Sequence, residues 1–470
     1  MRLLSLTALL ALAASPLHAV IDRTQKPAPD PAPAASFPDY RTHTLPNGLK
    51  VFVIEDDRTP TITLRLLIKS GAIQEGEKTG LSAFVAGLLN RGTKTRDAAT
   101  FAKESDFIGV RIEAAAGQDA ISVGAGGLTK YTDKILELFA DAVLNPVFPA
   151  EQFAKEQRKA FSALEAEKQE PEKLADKLAG KIVFGSHPYG AYRTAETLKA
   201  ITRDAIVEYH GKFFAPNNAT LAVVGDVKEA EVLPLVEKAL GGWQRREVPA
   251  PAEPKLIGLK GVTVHLVDRP GSVQSNIMIT QPGPARNNAD SPELNVLNAT
   301  LGGGFSGRLF QNLREKHGWT YGAYSAFGMH RLGGEFTASA ETRNEVTAPA
   351  IQETLKEMNR LREEPVPEDE LTLQRQYNVG NYLLSLENSS RIATRVQDID
   401  LYGLPADFYK TYARRMSAVT PSQVQELAKK YLSTENTAIV VVGEAKEVKP
   451  ALEKIGKVFV YDQELKSLTK

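Results

Sequence analysis

Cysteine is absent from all 470 residues. That excludes disulfides, a thiolate nucleophile, sulfur ligation of a metal and a lipid anchor attached through cysteine. An excess of charge of one sign is missing too. Lysine plus arginine and aspartate plus glutamate each number 57, and no basic run breaks the balance, so no electrostatic case exists for nucleic acid or an acidic membrane as partner. Histidine is sparse. The six beyond the first forty residues are His43, His187, His210, His265, His317 and His330. No two stand at i, i+3 or i, i+4, so no helix face carries paired imidazoles, and each is expected to be a surface or capping residue rather than a metal ligand.

What is present begins with Arg2 and the apolar run Leu3 to Ala14, which is too short to cross a bilayer and is followed by Ser-Pro-Leu-His-Ala19. Residues 1–19 read as a secretory signal, with no membrane span left after its removal. An exported chain without cysteine fits a bacterial periplasm. Residues 20–40 hold Pro27, Pro29, Pro31, Pro33 and Pro38, the composition of an extended tether without a core.

The remaining length calls for two or more domains, and an internal repeat supplies them. Ala200-Ile-Thr202 through Val223-Val-Gly225 matches Ala418-Val-Thr420 through Val441-Val-Gly443, with 420 − 202 = 218 and 443 − 225 = 218. Phe148-Pro149 and Val366-Pro367 keep the same offset. The chain therefore reads as a tandem duplication, residues 41–247 and 259–470, joined by a proline-rich linker at 248–258. Strands expected at Leu49 to Ile54, Thr61 to Ile68, Ala219 to Val224 and Thr437 to Val442 alternate with amphipathic helices. The fold class is α+β, a sheet packed with helices in each lobe.

The most distinctive stretch is Asn298 to Tyr321. Leu294, Leu297 and Leu301 recur at helical spacing and run into Gly302, Gly303 and Gly304, where a left-handed glycine cap should end the helix. Ser306 is expected to cap a second helix with Leu309, Phe310 and Leu313 on its apolar face, ending near Gly318 with Arg314 in its last turn. Trp319, Tyr321 and Ala323 then alternate into a strand. Arg314 and Tyr321 both donate hydrogen bonds and neither takes a proton at neutral pH. They suit gripping a carbonyl or an oxyanion, with no means of activating water. The residues alone also admit a plain ion pair at a helix end and a tyrosine capping an apolar cluster.

The run Leu-Gly-Gly-Gly-x-Ser-x-Arg-Leu-Phe-x-x-Leu-Arg-Glu-Lys-x-Gly-x-x-Tyr resembles the second half of the insulinase/pitrilysin metallopeptidases. The resemblance implies two similar lobes facing each other across a cavity. It also implies that Arg314 and Tyr321 contact the scissile region of a peptide whose zinc sits on the opposite half or on a partner subunit. In the first half that family carries His-x-x-Glu-His on a helix, two imidazoles for the metal and a glutamate as base. The matching run here is Gly80 to Thr93, aligned by Gly80, Phe84 and Gly92-Thr93. Ala83 and Gly87 stand at the histidine positions and Ala86 at the glutamate position. Glu156 fits an acidic position seven residues before the third ligand, which lands on Ala163. Glu165, two residues further, turns to another helix face.

The implied function is that of a non-catalytic subunit of a two-chain periplasmic peptidase. Arg314 and Tyr321 would hold the substrate carbonyl, and Gly302, Gly303 and Gly304 would let an extended peptide approach the backbone. This chain would bind no metal or cofactor, and a homologous partner would bring the zinc. The alternative is a catalytically inert scaffold or peptide-binding protein of the same fold.

Overall fold

The computed structural model describes residues 36–469 except 255 and 257. The expected signal, and the tether up to residue 35, lie outside the described residues. Two six-stranded mixed sheets form the frame. The first holds β1 (Arg41–Thr44), β2 (Lys50–Glu55), β3 (Thr61–Ile68), β4 (Arg111–Ala116), β5 (Ile121–Leu128) and β6 (Ala219–Gly225), in the order β1-β2-β6-β3-β5-β4. The second holds β7 (Val262–Asp268), β8 (Gln274–Gly283), β9 (Ala323–His330), β10 (Gly333–Arg343), β11 (Thr437–Gly443) and β12 (Lys457–Tyr461), in the order β12-β7-β11-β8-β10-β9. β6 and β11 are buried along their whole length, as strands dominated by Val, Ala, Leu and Ile at the centre of a sheet should be. β6 runs parallel to β2 and antiparallel to β3, and β11 runs parallel to β7 and antiparallel to β8, so the duplication holds at the level of pairing.

The helices that position the site are α1 (Leu81–Leu88), α2 (Ala150–Glu167), α3 (Pro171–Phe184), α4 (Ser291–Leu301), α5 (Glu368–Ser385) and α6 (Ser389–Tyr402). The 218-residue offset carries α2 onto α5 and α3 onto α6, both ends of each included. α3 and α6 cross over. Leu174, Ala175, Leu178 and Ala179 of α3 pack on Val267, Met278, Val440 and Val442 of the second sheet. In return Ile392, Ala393 and Val396 of α6 share a core with Phe52, Ile54, Ala222 and Val224 of the first. Gln397 of α6 is fully buried. Its amide donates to the carbonyls of Arg65 and Thr220 at 2.9 Å each, and its own carbonyl accepts from Arg65 at 2.5 Å. Each lobe is thus completed by a helix from the other, which ties their stabilities together. Among the described residues no helix is long and apolar enough to cross a membrane.

Two expectations need correction. The last residues of the tether do reach a core: Phe37 is 2% exposed, packs 5.5 Å from Tyr409 and belongs to the second lobe's cluster, while Asp39 pairs with Lys410. Composition hid this because a single aromatic among prolines suffices to anchor an extended segment. The histidines are also less exposed than expected. His187 does cap, its Nδ1 accepting from the Tyr189 amide at 3.1 Å. His210 instead meets Phe148 edge-on at 5.6 Å and lies tilted against Phe214 at 4.3 Å, and His265 stacks on Phe459.

Burial pushes the pKa of both His210 and His265 down to about 4. A base whose folded pKa is depressed stabilises the fold above its unfolded value, near 6.5, and loses that contribution as pH falls toward 4. Each imidazole is therefore expected to cost on the order of 3 kcal/mol of stability between those limits. Denaturant midpoints recorded from pH 7 to pH 4 check this, and His265→Phe should flatten the slope.

Candidate functional site

α4 ends at Leu301, as its apolar spacing requires, but none of Gly302, Gly303 and Gly304 adopts a left-handed conformation. Their smallness serves close packing instead. A Cβ on Gly302 would lie 2.7 Å from the Ser325 amide nitrogen, one on Gly303 2.8 Å from the Ala299 Cα, and one on Gly304 3.2 Å from the Tyr377 hydroxyl. The loop is laced to β9, the edge strand of the second sheet. Ser325 donates its amide to the Gly302 carbonyl at 2.8 Å, and the Asn298 side chain donates to the Ser325 carbonyl at 3.0 Å.

The next segment departs from an ordinary helix. Its N-cap is Gly307 rather than Ser306; a short turn, Arg308–Phe310, runs into a π-helical stretch, Gln311–Lys316. The left-handed glycine that closes it is Gly318, at φ 62°. Its amide bonds the Arg314 carbonyl at 2.9 Å. Polar anchors hold the stretch in place: Arg308, nearly buried, grips Glu370 of α5 with two N–H groups at 2.7 and 3.0 Å, and Asn312 donates to Glu353 and Glu357 at 2.8 and 2.7 Å. A π turn widens the helix by one residue and re-aims the side chains after it.

Arg314 and Tyr321 are brought together. The Arg314 Nη1 donates to the Tyr321 carbonyl at 2.9 Å, and the guanidinium lies 4.8 Å over the Phe310 ring. Tyr321 precedes β9 rather than joining it, and its side chain is 85% exposed. The turn that presents it is fixed by Thr320, which donates to the Gly322 carbonyl at 2.7 Å and accepts from its amide at 3.1 Å. Trp319 is stacked on His317, with ring centroids 4.1 Å apart. A cavity of about 460 Å³ opens beside the tyrosine, lined by Val273, Gln274, Trp319, Tyr321, Glu341 and Arg343. The result is a guanidinium on an aromatic face, 3.6 Å from the Glu315 carboxylate, beside a projecting phenol, with Glu341 in the wall of the adjoining cavity.

α1 presents the opposite picture. Leu81, Phe84, Val85 and Leu88 are buried, and Phe84 packs 5.9 Å from Phe153 of α2. On its other positions Ala83 is exposed and Ala86 buried, and a Cβ on Gly87 would lie 3.6 Å from the Glu156 carboxylate. Ala163 is exposed on α2. Glu156 pairs with Lys159, and Glu165 with Lys168. Glu75, whose burial raises its pKa, is committed to the start of α1, accepting from the amides of Gly80 and Ser82 at 2.6 and 2.7 Å. Methyl groups and hydrogen offer zinc no donor, and among the described residues no group of three or more histidine, aspartate and glutamate side chains is arranged to hold a metal.

Sequence reasoning named Arg314 and Tyr321 but missed Arg308, Asn298 and Asn312, which build the platform under them. Arg308 stands in the same motif, and its partner Glu370 is 62 residues away, so no local pattern could pair them.

Comparisons with known proteins give a consistent picture. Residues 50–194 match the insulinase family (peptidase family M16), and residues 200–397 match the peptidase M16 inactive domain. A protein named an uncharacterized zinc protease from Bacillus subtilis is 24% identical over 86% of this chain and 98% of its own length. Another so named, from Mycobacterium tuberculosis, is 27% identical over 87% and 94%. The crystal structure of a peptidase M16 inactive domain from Pseudomonas fluorescens superposes with a TM-score of 0.79 at 26% identity, covering 86% of this chain and 98% of that one. A protease from Helicobacter pylori shares the fold at a TM-score of 0.81 and 22% identity, over 86% and 99%.

Proposed function

We propose that this chain, which belongs to the insulinase family of peptidases, is the zinc-free, substrate-holding subunit of a two-chain peptidase exported to a bacterial periplasm. One observation carries the reading. The helix at the place of the family's metal motif keeps its packing but carries only Ala83, Ala86 and Gly87 at the chemical positions, α2 carries Ala163 at the place of the third ligand, and the segment bearing Arg314 and Tyr321 is elaborately anchored. A chain that only filled space would have no use for an exposed guanidinium and phenol presented from a segment held by a π turn, an arginine–carboxylate clamp and three closely packed glycines.

In this reading a homologous chain with an intact His-x-x-Glu-His supplies metal and general base. Arg314 and Tyr321 donate hydrogen bonds to the carbonyl oxygen of the bond to be cut, where negative charge develops. The edge of β9 on either side of Ser325, whose own amide and carbonyl are taken by Gly302 and Asn298, and the low-profile glycine loop offer backbone groups to an extended peptide. The run of residues 1–19 that reads as a secretory signal supports a location outside the cytoplasm for this chain.

The test is reconstitution. The purified chain alone is expected to hold no zinc and to leave peptides uncut, and mixing it with a zinc-motif homologue should raise that homologue's turnover. Chelator-sensitive cleavage by this chain alone would overturn the proposal.

A further inference from the structure

We infer that the solvent face of α5 is a track for large apolar side chains of an extended peptide. The substrates would then be peptides with bulky aliphatic or aromatic residues a few positions from the bond at Arg314 and Tyr321; this rests on the substrate-holding role just proposed. Leu373, Tyr377 and Leu384 are 50%, 44% and 71% exposed. They stand at i, i+4 and i+11 on one helix face, with Gly380 at i+7 between them.

The duplication provides an internal control. α2 occupies the same place in the first lobe, offset by 218 residues at both ends, and at the equivalent positions it carries Lys155, Lys159, Ser162 and Ala166. The Lys155 and Lys159 side chains are 56% and 78% exposed. The fold therefore accepts ordinary solvated residues here, and the apolar face of α5 answers to something other than folding. Gly380 makes the same point. A glycine inside a helix is unfavourable relative to alanine, and a Cβ at this position would meet nothing within 4 Å. Packing within the chain does not require the glycine, whereas a flat floor between Tyr377 and Leu384 does.

The track is continuous with the Arg314 site. The Tyr377 hydroxyl lies against Gly304. Phe305, 67% exposed, meets Phe310 edge-on at 5.0 Å, and Arg314 rests on that same ring. From Leu373 to Leu384 the helix rises roughly 16 Å, about five residues of extended peptide. The exposed area of the stripe with Phe305 and Tyr324 is on the order of 500 Å². A stable subunit contact takes about 800 Å² from each partner, so a peptide is the better occupant.

The experiment replaces the stripe with the other lobe's residues, Leu373→Lys, Tyr377→Lys and Leu384→Ala together. The probes are two fluorescein-labelled ten-residue peptides, identical except that one carries leucine and phenylalanine where the other carries serine. Wild-type protein is expected to bind the apolar peptide at least tenfold tighter than the serine peptide. The triple variant should lose that preference while keeping its melting temperature and its weak affinity for the serine peptide. Equal binding of both peptides by wild type, or an unchanged preference in the variant, overturns the track. So does a change in oligomeric mass or loss of the zinc-bearing homologue, either of which makes the face a subunit contact. If Arg314→Ala slows the assembled pair while the triple variant binds as wild type does, the track fails and the substrate-holding role stands. If the track behaves as expected but this chain leaves its homologue's turnover unaltered, the reverse holds.

Discussion

Arg314→Ala is expected to lower turnover of the assembled pair by about a hundredfold without dissociating it. A donor aimed at a developing oxyanion is worth about 3 kcal/mol of barrier, and removing one typically costs a factor of 10² to 10³. Arg314 is placed for that use. Its side chain is 43% exposed, and the Phe310 face orients the guanidinium. Stability should change little, since an exposed side chain at a helix end contributes modestly. One Arg314 hydrogen bond goes to the Tyr321 carbonyl, so a purely structural role must be separated from direct contact with substrate. Tyr321→Phe, alone and combined with Arg314→Ala, does this, because it removes the phenolic donor and leaves that carbonyl in place. A double variant slower than either single one, with unchanged circular dichroism, supports two donors, whereas a double variant no slower than Tyr321→Phe means that Arg314 acts only by placing the tyrosine. A full rate in Arg314→Ala ends the proposal.

The parts of this molecule legible in its sequence are those written locally or twice. The offset of 218 set the lobes in register, and the strand expectations at Thr61 to Ile68 and Thr437 to Val442 match β3 and β11 to within a residue. α1 was legible as a helix because its apolar stripe Leu81, Phe84, Val85 and Leu88 survives around Ala83 and Gly87. Where expectation failed, a contact distant in sequence had decided. Gly302 is glycine because β9 passes 2.7 Å from where its Cβ would be, which no helix-ending rule can see. Ser306 looked like a cap, but Gln374 of α5 engages its hydroxyl at 3.2 Å and the segment starts one residue later. The π turn has no compositional mark, so the aim of Arg314 was open until its anchors to Glu353, Glu357 and Glu370 were in view. Crossing of α3 and α6 between lobes was equally hidden, since an amphipathic pattern reports that a face is buried and not by which sheet.

That crossing underlies the second large effect expected. Asp398, on α6, accepts from the Tyr409 hydroxyl at 3.0 Å, and Tyr409 in turn accepts from Arg286 at 2.9 Å; Arg65 of the first sheet and Arg395 also face the carboxylate. Three guanidiniums lie around one half-buried acid where the lobes meet, and desolvation still raises its pKa above the usual carboxylate value. Asp398→Ala leaves the Tyr409 hydroxyl without its acceptor and removes the negative charge nearest Arg286, Arg65 and Arg395, which is expected to cost about 1–3 kcal/mol. Asp398→Asn keeps an acceptor for Tyr409 and should fall between. Because each sheet is covered by a helix from the other lobe, the loss should appear in both lobes at once. The chain has two tryptophans, Trp243 buried in the first lobe and Trp319 beside Tyr321 in the second. Single-tryptophan variants, made with Trp→Phe at the other position, report each lobe separately during denaturant unfolding. Both probes should move to a lower midpoint by the same amount in Asp398→Ala. If the Trp319 transition shifts while the Trp243 transition stays, the lobes are independent and the exchanged helices do not couple them.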